Sequence, residues 1–216
     1  MMNDRVSSGL VAAVAMCICA TSLAMPTKKE LSKAQPLVAE LMAPTLSDFK
    51  AAKKTAVEVA DAAVAYAAEA ETEAAKFMLY RSSIPYYVRG EAYDKAAETV
   101  VLMKANVKDI PASVIVEIIS KATVRATAKK APRLFELYQQ AKAQAVAEKD
   151  IEVFRAKLRK SPGSQPTIRN LAEALATSGD WEAALKEFAK LKDSTAQMAR
   201  RELDGSAKNA DLGEFW

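Results

Sequence analysis

Apolar residues along this chain recur three and four positions apart, the spacing that lines one face of an α-helix. The clearest run lies between Ala56 and Ser82. There Ala60, Ala63, Val64, Ala67, Ala70, Ala74, Phe77 and Met78 form one stripe, which predicts a single helix. Val114, Ile115, Ile118, Ile119 and Ala122 repeat the spacing after Pro111, and Leu134, Leu137, Tyr138, Ala141 and Ala145 repeat it after Pro132. No stretch sustains a strand-like alternation, and no Asn-Gly dipeptide marks a hairpin.

Helix boundaries are written into the same pattern. Thr27-x-x-Glu30 and Thr55-x-x-Glu58 fit the capping box, in which each side chain satisfies a free backbone N–H of the first turn. Thr45-x-x-Asp48 is a weaker version of the same signal. Pro85, Pro111, Pro132 and Pro166 precede periodic runs, as prolines of a first helical turn do. Gly179 and Gly205 follow such runs, as C-terminal caps do. The reading is an all-α chain of about eight to ten helices with short connections. Its longest linker, Ser161-Pro-Gly-Ser-Gln165, reads as a turn between packed helices rather than a hinge.

The N-terminal pattern is different. Residues 1–24 read as a secretory signal peptide: Arg5 in the n-region, an uncharged apolar run from Gly9 to Ala20, and Ser22-Leu23-Ala24 as a small-x-small cleavage site. The alternative is an uncleaved anchor, although the apolar run is short of the ~20 residues a membrane helix needs. Export to the periplasm or cell envelope of a bacterium follows from this reading. Cleavage after Ala24 removes Cys17 and Cys19 together, so the mature chain would rest on its apolar core without disulfides. The expected organisation is a signal peptide over 1–24, a helical region over 25–160, a helical hairpin with a capping helix over 161–205, and a polar tail over 206–216.

Composition narrows the chemistry. Of the 216 residues, 44 are Ala and only 6 are Gly, which suits closely packed helices. There is no His anywhere in the chain, so a His-containing triad and a His-ligated metal are excluded. The glycines are scattered, so no phosphate-cradling loop exists. The formal net charge of +4 is mild and does not by itself indicate a nucleic-acid partner. No cofactor, metal site or catalytic residue is expected.

Residues 166–192 resemble a tetratricopeptide repeat. Ile168, Leu171, Ala172 and Leu175 fill the first-helix positions, Gly179-Asp180-Trp181 the turn, and Ala184 and Phe188 the second helix, with Leu191 closing the apolar face. Ile168 stands where the repeat has Trp, Leu175 where it has Tyr, and Ala196 where it has Pro. One repeat length upstream, Leu134, Leu137, Ala141 and Phe154 make a weaker copy, with Ala145 at the turn position. Tyr93-Asp-Lys-Ala96, with Gly90 before it and Val100 after it, echoes Trp181-Glu-Ala-Ala184. The resemblance implies a short α-solenoid of stacked helical hairpins; an irregular helical bundle carrying one such hairpin is the alternative. More loosely, the mature chain is similar to the helical N-terminal regions that precede formylglycine-generating-enzyme-like domains in some exported bacterial proteins. Segments such as Tyr87-Val-Arg-Gly90, Gly179-Asp-Trp181 and Leu203-Asp-Gly205 carry that likeness. It implies an accessory module whose catalytic domain is absent, and the aromatic ending Gly213-Glu-Phe-Trp216 suits a piece of a longer chain.

Three clusters are candidate sites. Tyr80, Arg81, Tyr86, Tyr87, Arg89 and Tyr93 form the densest aromatic and basic group; Tyr86, Tyr87, Arg89 and Tyr93 are the candidate partner-binding residues, since Tyr and Arg anchor interfaces. Glu69, Glu71 and Glu73 crowd one predicted helix, where Glu69 and Glu73 would share a face; a solvated face explains them better than acid–base chemistry. Lys121, Arg125, Lys129, Lys130 and Arg133, and then Arg155, Lys157, Arg159 and Lys160, are basic runs that could meet a polyanion, or could simply be favourable helix ends. The sequence thus points to a non-catalytic protein–protein scaffold, with an enzyme's accessory fragment and a cell-surface polyanion binder as alternatives.

Overall fold

The structure, a computed structural model, describes residues 25–124 and 126–205. Residues 1–24, read above as a signal peptide, residues 206–216, read as a polar tail, and Arg125 lie outside the described residues. Among the described residues there are nine α-helices and no strand: α1 (Lys28–Lys50), α2 (Ala56–Glu69), α3 (Glu73–Arg89), α4 (Tyr93–Asn106), α5 (Ala112–Thr123), α6 (Pro132–Lys160), α7 (Gln165–Ser178), α8 (Trp181–Phe188) and α9 (Ser194–Leu203). None of them is long and apolar enough to cross a membrane.

Both full capping boxes form. Thr27 Oγ1 accepts the Glu30 N–H while Glu30 accepts the Thr27 N–H at 2.7 Å, and Thr55 and Glu58 do the same at the start of α2. Thr45-x-x-Asp48 starts nothing. Thr45 is buried in the middle of α1, which runs on through Pro36 and Pro44. Each proline removes one helical hydrogen bond. Both prolines, and the residues Ser32 and Glu40 whose carbonyls lose a donor, lie on the exposed side, where water replaces the lost bond. Pro85 likewise sits inside α3, exposed, rather than at a helix start.

The predicted single helix from Ala56 to Ser82 is two helices. Ala70 turns to extended backbone, and Thr72 Oγ1 accepts the Ala75 N–H at 3.2 Å to begin α3. The periodic stripe ran through this break because both halves face the same core: Ala60, Ala63 and Ala67 of α2 and Ala74 and Phe77 of α3 are all buried. Alanine on the inner face of α2 lets α3 fold back along it closely, and among the described helices this is the most extensive pair. α3 is buried on several sides because α1, α2, α4 and α5 all pack on it.

Two apolar clusters form, and α6 belongs to both. Leu134 and Ala141 join the core of α1–α5, whereas Ala147 and Ile151 join the core of α7–α9. At 29 residues α6 is about 43 Å long. It has no break at Ala145, so the weak hairpin expected over Leu134 to Phe154 is instead one continuous helix. The reason is local: nothing near Ala145 caps or interrupts a helix, and the residues around it are strong helix formers. The echo at Tyr93 does fall on a hairpin, since α3 and α4 are joined by Gly90-Glu91-Ala92 and pack on one another. Ser161 to Ser164 is a tight turn, and α6 and α7 pack extensively across it. Beyond it α7, α8 and α9 stack in chain order.

Candidate functional site

Residues 166–192 lie on the α7–α8 hairpin and the turn that follows it. Ile168, Leu171, Ala172, Leu175, Ala184 and Phe188 are all buried, and Leu191 closes the same cluster. Gly179 adopts φ +93°, a left-handed conformation that side-chain-bearing residues avoid. Its N–H donates to the Ala176 carbonyl and the Asp180 N–H to the Leu175 carbonyl, both at 3.0 Å, which is the Schellman arrangement. Asp180 then caps α8 by accepting the Ala183 N–H. Trp181 is the first residue of α8 and is 48% exposed.

The aromatic and basic cluster is drawn inward. Tyr87 is only 3% exposed and donates its hydroxyl to Asp61 at 2.7 Å. Lys95 donates to both oxygens of the same carboxylate at 2.8 and 3.0 Å, and its ammonium lies over the Tyr87 ring. One side chain each from α2, α3 and α4 therefore meets in this group. Burial penalises the Asp61 charge, but the bonds from Lys95 and Tyr87 outweigh it and hold the carboxyl below its ordinary pKa. Burial, reinforced by the bond to Asp61, pushes the Tyr87 phenol well above the usual tyrosine range. Burial also raises Tyr80. Tyr86 packs edge-on against Phe49 of α1, and the Arg89 guanidinium lies 4.9 Å from the centre of the same ring. Tyr93 is half-buried at the start of α4. Of these four candidates, Arg89 is the exposed one. Neither Asp61 nor Lys95 carries a sequence signal, because the two are far apart in the chain and meet only when α4 packs beside α2 and α3.

The three acids do not share a helix. Glu69 ends α2, Glu71 lies in the turn, and Glu73 begins α3. Glu73 accepts the Lys108 N–H at 3.1 Å and so ties down the α4–α5 connection. Glu148 of α6 does the same for α5, accepting the Ala112 N–H where Pro111 offers no side-chain cap. Among the described residues no three acidic or cysteine side chains converge where a metal ion could sit.

The two basic runs separate. In the first, Lys121 pairs with Glu117 at 2.6 Å, Lys130 with Glu91 at 3.7 Å, and Arg133 with Glu98 at 3.3 Å. The sequence showed no acid between Glu117 and Glu136, but the fold brings the acids of α4 and its preceding turn to this stretch. In the second, Lys157 lies over the Phe154 ring, and Arg155 and Arg159 line a groove of about 390 Å³ between α6, α7 and α8. A second groove, of about 290 Å³, runs between α6 and α7 past Val146, Asp150 and Phe154. A third, of about 490 Å³, lies between the first turns of α1 and the α2–α3 turn, with Leu37 at its edge. No protein-family model, curated protein or solved structure matches this chain.

Proposed function

We propose that this chain is an exported, non-catalytic helical scaffold that docks a protein partner. The observation that carries the reading is the set of open grooves between successive stacked helices. Stacked hairpins work as scaffolds because each helix pair leaves a furrow beside the next, and the furrows align into one extended surface. Val146, which lines the groove between α6 and α7, is 56% exposed, and Val153, 46% exposed, stands two turns further along the same side of α6. The tetratricopeptide-like pattern at residues 166–192 supports the same reading by analogy of fold.

Full-length protein from the cell envelope, with its N-terminus sequenced, tests export: cleavage at Ala24 leaves Met25 first. Purified protein used as bait in envelope extracts, followed by chemical crosslinking, tests docking. A saturable partner that crosslinks to α6 and α7, and is lost on Val146→Glu with Val153→Glu in a still-helical variant, is the expected result. A well-folded bait that retains no saturable partner refutes the scaffold. Tyr87 is unsuitable for such a test, since its ring is buried and its replacement reports on folding.

A further inference from the structure

We propose that the groove between the last turns of α6 and the α7–α8 hairpin docks an acidic peptide segment with alternating apolar side chains. The proposal rests on the scaffold reading above and gives that scaffold a site and a ligand chemistry.

Arg155 and Arg159 stand one turn apart on α6 and form one wall of the groove. The opposite wall and floor are apolar. Ile168 and Leu171 of α7 are buried there, and Leu158 and Pro162 complete the surface. Lys190 closes the α8 side, with its ammonium 2.6 Å from the Glu187 carboxylate. The acid that lines the groove is therefore already neutralised, and two guanidinium charges are left over.

The arginines elsewhere make the contrast. Arg81, Arg133 and Arg169 are ion-paired, Arg89 stacks on Phe49, Arg200 donates to the Ala189 carbonyl, and Arg201 also holds an intramolecular partner. Among the described arginines, Arg155 and Arg159 alone have none, and both line the same groove. A cation near a helix C-terminus is favoured without any ligand. That accounts equally for Lys157 and Lys160, and it does not explain two unpaired arginines facing an apolar wall. A guanidinium offers a planar fork that matches a carboxylate.

The spacing selects an extended peptide. Residues four apart on a helix are separated by about 6 Å along its axis. Alternate residues of an extended strand are separated by about 6.5 Å and point to one side. Acids at alternate positions can therefore meet Arg155 and Arg159 together, while the side chain between them turns toward Ile168 and Leu171. A membrane surface would engage Lys157 and Lys160 equally well and has no use for the recess.

The test uses the full chain labelled with ¹⁵N and two capped pentapeptides, one alternating Glu and Leu and one alternating Gln and Leu. The expected result is saturable shifts at the amides of Leu158, Ile168 and Leu171 with the acidic peptide, weakening as salt rises. Arg155→Gln with Arg159→Gln should weaken binding about tenfold or more, whereas Lys157→Gln with Lys160→Gln, which removes the same charge outside the groove, should leave it nearly unchanged. Equal losses in the two variants, equal binding of the neutral peptide, or binding only to phosphatidylglycerol vesicles would each overturn the proposal. The scaffold reading is separable: an acidic peptide that does not bind, beside a saturable partner that is still captured, overturns the groove and leaves the scaffold standing.

Discussion

Replacing Gly90, Gly163 and Gly179 by Ala, one at a time, should give three different outcomes from one chemical change. At Gly90 the backbone has φ −87°, which any residue adopts, so conformational strain is not at issue. Space is: an added Cβ would lie 2.5 Å from Val57 Cγ2 at the start of α2. Val57 is β-branched and helical, so its side chain has essentially one favoured rotamer and cannot swing aside cheaply. The two helix ends must separate or Val57 must leave its rotamer, and overpacking of this kind costs ~1–3 kcal/mol. At Gly179 the space is open, but φ is +93°, and forcing Ala toward the left-handed region costs ~1–2 kcal/mol, offset in part by the ~0.4–1 kcal/mol gained from a stiffer unfolded chain. Gly163 has neither problem, so Ala there should be neutral or stabilise by up to ~1 kcal/mol. Urea unfolding followed by circular dichroism measures all three. A double-mutant cycle sharpens the first: in a Val57→Ala background the cost of Gly90→Ala should fall by about half or more. A cost unchanged by Val57→Ala, or a Gly163→Ala variant as unstable as Gly90→Ala, would rule out the steric account of Gly90.

Further outcomes follow from the caps, the polar group and the cores. Thr72→Ala removes the cap that separates α3 from α2 and should cost ~1 kcal/mol, read by the same unfolding assay; no loss would mean that Thr72 does not set the break. Tyr87 has a raised folded pKa, so its contribution is complete below the ordinary tyrosine value near 10 and is lost as pH rises above it. Tyr87→Phe should therefore flatten the alkaline fall in stability, to which the raised Tyr80 also contributes. Asp61 has a depressed folded pKa, so its contribution is present above the ordinary carboxylate value and is lost as pH falls through the lower one. Asp61→Asn should flatten the acid limb of a melting-temperature profile. Leu175→Ala, in the second core, should cost ~2–5 kcal/mol and should speed amide exchange in α7–α9 more than at Met103 in the first core; uniform acceleration would mean that α6 couples the two cores fully.

Much of this protein was legible in one dimension because helical signals are local. The capping boxes at Thr27 and Thr55, the left-handed Gly179 and the apolar runs after Pro111 and Pro132 each depend on residues within a turn or two, and each forms as the pattern predicts. The α7–α8 hairpin belongs with them, since Asp180 and Gly179 define its turn without help from the rest of the chain. Local signals misled where the outcome depended on which side faced water. Pro36, Pro44 and Pro85 are tolerated because their side of the helix is exposed, and periodicity does not report exposure. The break at Thr72 was hidden because the stripe on both sides of it meets one core.

An all-helical chain, the ends of several helices and the α7–α8 part of the second core were fixed locally, because short-range hydrogen bonding and 3.6-residue periodicity settle those matters. Which charges are cancelled and which are left over depended on how distant helices pack. Asp61 found Lys95, Glu98 found Arg133 and Glu73 found the Lys108 amide through packing of helices distant in the chain, and no pattern in the sequence encodes such pairings. By the same packing Arg155 and Arg159 were left unpaired beside Ile168 and Leu171, because among the described residues the carboxylate that lines the groove, Glu187, is taken by Lys190.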